Sequence, residues 1–207
     1  MIKTRLSVLK HGSARYQLFI LLGVLWLMLF VWYGPEMGML FVGEGLELKL
    51  QNVFIWLYSA CLIVFTHLFQ ADNFAVASRI GVIGTMVGTI LYAGSALPTV
   101  QMVATGVMAV CSALFSLGVI YSFVYILEPQ EKVRTVISMI AAGSLMSLFT
   151  TLGLPAIRGL LYYVFAISLL AAIGFVTTGL ERRPVELNPE IGPRCFPGVG
   201  ILGALLV

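Results

Sequence analysis

The run Ile80-Gly-Val-Ile-Gly-Thr-Met-Val-Gly-Thr-Ile-Leu-Tyr-Ala-Gly-Ser-Ala-Leu97 has eighteen residues and no Asp, Glu, Lys or Arg. At a rise of about 1.5 Å per residue it makes a helix of about 27 Å, close to the thickness of a bilayer's hydrocarbon core. The apolar residues are continuous rather than alternating, which selects a helix over a barrel strand. Five more stretches of the same character follow from the sequence: Tyr16–Tyr33, Val53–Phe69, Val100–Leu127, Thr135–Leu154 and Gly159–Leu180. Each is free of charged residues. The composition agrees, with 60% hydrophobic and 10% charged residues in 207 and a mean hydropathy of +1.03. A soluble domain carries about 25% charge, so the excess apolar surface needs lipid as its solvent. The expected fold class is therefore all-α, a polytopic membrane helical bundle of six transmembrane helices.

The connections carry the charges and set the orientation. One side holds Lys3, Arg5, Lys10, Arg15, Arg79, Lys132, Arg134, Arg182, Arg183 and Arg194, and the other holds Lys49 and Arg158. Ten against two places both termini in the cytoplasm, in the inner membrane, by the bias of Lys and Arg toward cytoplasmic loops. The chain divides into a basic cytoplasmic N-terminus (1–15), a six-span membrane domain (16–180), a proline-marked cytoplasmic linker (181–197) and an apolar end (198–207) that reads as the start of a seventh span. The run from Tyr16 is too long for a signal peptide's apolar region and lacks a small-residue cleavage site, so it reads as a retained first span.

Small residues supply the clearest packing signal. Gly81, Gly84 and Gly88 share one face of the third stretch, and Gly84–Gly88 is a GxxxG. Such stripes let helix backbones approach closely, either within one chain or across a homodimer. Polar lining within the spans comes from Thr85, Thr89, Tyr92, Gln101, Thr105, Ser112 and Ser116. These residues suit a pathway for a neutral or amphipathic solute, and they suit equally well the return of hydrogen bonds to their own helix backbone. The absence of a carboxylate within any stretch argues against simple ion coupling.

Signals for chemistry are few. His11 and His67 are separated by a span, and Cys61, Cys111 and Cys195 are far apart, so neither a metal ligand set nor a disulfide framework is expected. No GxSxG, HExxH or Walker A run occurs, which disfavours an enzyme and leaves no cofactor to expect. Nucleic acid is not an expected partner of this segment, because the basic residues are dispersed over short loops.

The inner connection before the third stretch reads Phe74-Ala-Val-Ala-Ser78-Arg79-Ile80-Gly81-Val82-Ile83. With six spans and both ends inside, this resembles the N-terminal half of the major facilitator superfamily, whose loop at this place runs G-x-x-x-D/N-R-x-G-R-R/K. Arg79 and Gly81 match that pattern. Phe74 stands for the Gly, Ser78 for the acid, and Val82 and Ile83 for the basic pair, while Asp72 is the nearby acid available to Arg79. The resemblance implies a half-bundle of inverted three-helix repeats that carries a small solute together with a second half, from a longer chain or a second copy. It also implies an inner-loop anchor at Asp72, Arg79 and Gly81. The competing reading is a non-transport membrane part, either the sensor portion of a helix-turn-helix regulator or an assembly subunit.

Overall fold

The computed structural model describes residues 2–33, 39–41, 47–68, 74–151 and 160–180. Asp72, most of the first outer connection, the turn after Thr151 and everything beyond Leu180 lie outside the described residues. Six α-helices make up the architecture: α1 (Ile2–Tyr33), α2 (Leu50–Leu68), α3 (Phe74–Gly94), α4 (Pro98–Tyr121), α5 (Pro129–Thr151) and α6 (Leu160–Thr178). Between α1 and α2, β1 (Met39–Phe41) and β2 (Glu47–Lys49) pair as a short antiparallel ribbon, with Leu40 opposite Leu48.

Two boundaries differ from the sequence reading. Helix α1 begins at Ile2 and carries the basic segment 2–15 into the same 32-residue helix. No proline interrupts it, and Lys, Arg and Leu all favour helix. Helix α4 ends in a π-helical turn, Ser122–Ile126, so the long fourth stretch widens its last turn instead of running on as α-helix. The start of α4 follows its sequence. Leu97 is extended, Pro98 occupies the first turn, where no N–H is needed, and Gln101 N–H donates to Leu97 O at 3.0 Å.

Among the described residues, three helices are long and apolar enough to cross a membrane: Leu50–His67, Phe74–Gly94 and Pro98–Ile126. The apolar segments Ala14–Leu29 and Tyr163–Thr178 are shorter. Burial ranks them. Within their apolar windows, 61% of α4 is buried against 17% of α2, so α4 is central and α2 peripheral.

Helix α3 packs most extensively on α4; α3 also packs on α6, α6 on α1 and, through a smaller contact, α1 on α4, closing a ring of four helices. Helix α2 flanks the ring on α4, and α5 flanks it on α1. Exchanging α1 with α4, α2 with α5 and α3 with α6 maps this set of contacts onto itself.

Side-chain contacts give the directions. Tyr16 at the start of the apolar part of α1, Phe74 at the start of α3 and Tyr121 at the end of α4 form one aromatic cluster, with ring centroids 6.4 and 5.0 Å apart. At the opposite end, Tyr92 of α3 meets Tyr163 of α6 at 6.2 Å. Helices α1 and α3 therefore run one way, and α4 and α6 the other. Along α2, Leu57 lies beside Gly106 and Leu62 clusters with Ala113 and Leu117, so α2 runs parallel to α4. Along α5, Thr135 and Ser138 lie across from Ala14–Leu21 and Gly143 lies against Met28, so α5 runs parallel to α1. Each exchanged pair is thus antiparallel.

Candidate functional site

The α3–α4 contact gathers most of the residues singled out in the sequence. Its glycines explain the close approach. A Cβ on Gly81 would lie 2.6 Å from Cys111 O and 2.7 Å from Phe115 N, both backbone atoms. One turn on, a Cβ on Gly84 would overlap Cys111 Sγ, and one on Gly88 would lie 2.6 Å from Met108 Cγ and 3.1 Å from Ala104 O. One turn up α3 is matched by one turn down α4, the register of an antiparallel pair. The stripe continues on α4, where Gly118 leaves the space that Ser78 occupies. Gly81, Gly84 and Gly88 thus face this chain's own α4. Helices in lipid gain little from apolar burial, so dispersion across such a seam carries much of the attraction.

Hydroxyls run along the same seam. Thr85 Oγ1 donates to Gly81 O at 2.8 Å and lies 3.3 Å from Ser112 Oγ across the helices. Thr89 Oγ1 donates to Thr85 O at 2.8 Å and approaches Met108 Sδ at 3.4 Å. Thr105 Oγ1 donates to Gln101 O at 2.7 Å. Ser116 Oγ is buried without a hydrogen bond of ordinary length, and the Tyr58 hydroxyl of α2 faces it across the α2–α4 contact. Thr85, Thr89, Thr105, Ser112 and Ser116 are at most 2% exposed, so in this conformation they are closed inside the bundle. Most satisfy their donors on the carbonyl four residues back, which needs no solute.

Two members of the expected lining lie apart from these. Tyr92 turns to α6, where its ring meets Tyr163. Gln101 stitches the turn between α3 and α4: its Nε2 donates to Ser95 O at 2.9 Å, while Leu97 N–H donates to Ser95 Oγ at 3.2 Å. Asp72 lies outside the described residues. His67 is exposed in the last turn of α2.

Arg79 finds carbonyls in the structure. Its Nε donates to Thr177 O at 3.0 Å and its Nη2 to Thr178 O at 3.2 Å. Arg15 of α1 donates through Nη1 to Gly179 O at 3.2 Å, and a Cβ on Gly179 would collide with that guanidinium. Two cations from α1 and α3 therefore cap the C-terminal end of α6, where unpaired carbonyls and the helix dipole concentrate negative charge. Arg15 was no candidate in the sequence, because a helix C-terminus leaves no charged letter there for a cation to pair with. Lys132 does the same for the π-helical end of α4, donating from Nζ to Val124 O at 2.7 Å. At the start of α5, Glu131 Oε2 accepts from Glu128 N–H at 3.0 Å, a side-chain cap three residues in.

No family model, curated protein or solved structure matches the chain.

Proposed function

We propose that the chain is a six-span protein of the inner membrane, with both termini cytoplasmic, built as half of a facilitator-type transporter that moves a small solute with a second half. The observation that carries this reading is the ring of α1, α4, α3 and α6 with its two flanking helices, which maps onto itself under an exchange of antiparallel partners. Inverted three-helix repeats of this kind are the building plan of many secondary transporters, in which one repeat rocks against the other. The arginine caps on α6 and the aromatic cluster of Tyr16, Phe74 and Tyr121 lie at the same end of the bundle, the cytoplasmic end in this reading.

A second reading, a membrane sensor or assembly subunit, draws support from the seam itself. Its hydroxyls are buried and most are bonded to backbone, as expected of residues that hold helices together. Uptake by the full chain in proteoliposomes, measured against a panel of labelled small neutral and amphipathic solutes, separates the two. The transport reading predicts saturable uptake that Gln101→Ala or Ser116→Ala alters. Absence of uptake across the panel from well-folded protein would favour the sensor or assembly role.

A further inference from the structure

A cavity of about 220 Å³ opens between α1 and α5, lined by Ala14, Gln17, Leu18, Leu21, Thr135 and Ser138. It is far larger than the roughly 10–15 Å³ that holds one water on the same measure, so it has room for a polar headgroup rather than a single bridging water. It lies at the end of the bundle where the basic residues gather. Four described basic side chains are found there, and three are committed: Arg15 to Gly179 O, Arg79 to Thr177 O and Thr178 O, and Lys132 to Val124 O. Arg134 is exposed and has no partner among the described residues. Ser138, one turn further along the same helix face, is likewise exposed and without a partner among them. Its neighbour Thr135 differs, since its hydroxyl already donates to Glu131 O at 2.8 Å. Arg134 and Ser138, neither with a partner among the described residues, thus sit at i and i+4 on α5, and Ser138 lines the cavity together with Gln17 of α1. The wall continues into Leu18 and Leu21, and Ile137 and Ile140 are 61% and 64% exposed on α5. A polar mouth with a cation, backed by lipid-facing apolar side chains, fits an amphipathic anion.

We propose that the inner end of the α1–α5 groove binds the headgroup of an anionic phospholipid. Arg134 and Ser138 take the phosphate, Gln17 closes the far side, and the acyl chains run along Leu18, Leu21 and Ile137. The inference rests on the membrane reading above, because it places this end at the cytoplasmic leaflet, where anionic lipids and basic inter-helix pockets meet.

The test uses the full chain in mild detergent, equilibrated with mixed micelles of equimolar phosphatidylglycerol and phosphatidylcholine, with bound lipid counted by native mass spectrometry. The expected result is a preference for phosphatidylglycerol of about fivefold, the scale of one basic residue at an anionic surface. Arg134→Lys should keep it, Arg134→Gln should bring it close to parity, Ser138→Ala should weaken it, and Arg182→Gln in the tail should leave it intact. No preference in the parent protein, an unchanged preference in a monodisperse Arg134→Gln variant, or displacement of the lipid by millimolar inorganic phosphate would overturn the proposal. Binding in detergent depends on neither uptake nor orientation, so its failure would leave the transport reading standing, and the reverse also holds.

Discussion

A methyl group on Gly81 would press on Cys111 O and Phe115 N, and backbone atoms cannot swing aside as a side chain can. Gly81→Ala must therefore part α3 from α4, and overpacking of this kind costs about 1–3 kcal/mol. Gly94, at the end of the same helix, has nothing within 4 Å of its Cβ position. Gly94→Ala should be neutral or slightly stabilising, and the contrast is read as the difference in Tm of the two variants in detergent. The hydroxyl pair should matter less. Thr85→Val keeps the shape and removes the 3.3 Å contact to Ser112, and polar contacts between membrane helices average about 0.6 kcal/mol. A loss larger than that at Gly81→Ala would contradict the view that close approach, rather than hydrogen bonding, holds the seam. The Gly81, Gly84 and Gly88 stripe was legible in the sequence because small residues at helical spacing have one main use in lipid. Which helix they face was not legible, since intrachain and interchain packing ask for the same letters.

At the scale of elements, the end of α6 depends on two side chains from elsewhere in the chain. Arg79 and Arg15 cap Thr177, Thr178 and Gly179, and both guanidinium groups are at least partly open to solvent, so each contributes modestly. A cation at a helix C-terminus is worth about 0.3–1 kcal/mol. Arg79→Gln should raise hydrogen exchange in the last turn of α6 by roughly two- to fivefold and leave the middle of α4 unchanged. An unchanged exchange rate would mean that the carbonyls are satisfied without Arg79. Here the sequence singled out Arg79 and offered it Asp72, which lies outside the described residues, and did not foresee the carbonyls of Thr177 and Thr178. A search for charge pairs finds acids, whereas the negative end of a helix is written in no single letter. The extension of α1 to Ile2 and the π-helical turn at Ser122–Ile126 were missed for a related reason. Hydropathy reports where a helix meets lipid, not where its hydrogen bonds begin or change register.

For the whole molecule, the charge-free stretches foretold the helices, and the ten-to-two division of Lys and Arg predicts one threading. The structure adds a pattern that no single stretch contains, a ring with two flanks whose exchanged helices run antiparallel. In the proposed six-span reading, α1, α3 and α5 cross in one sense and α2, α4 and α6 in the other. Thiol labelling from the two sides of the membrane tests this most directly. In a chain with Cys61, Cys111 and Cys195 replaced by Ala, single cysteines are placed at Ser95, between α3 and α4, at Gln130, at the start of α5, and at Thr178, at the end of α6. The account predicts that an impermeant maleimide added to intact spheroplasts labels position 95, and reaches 130 and 178 only after the membrane is permeabilised. Labelling of 130 or 178 from outside, or protection of 95, would contradict it.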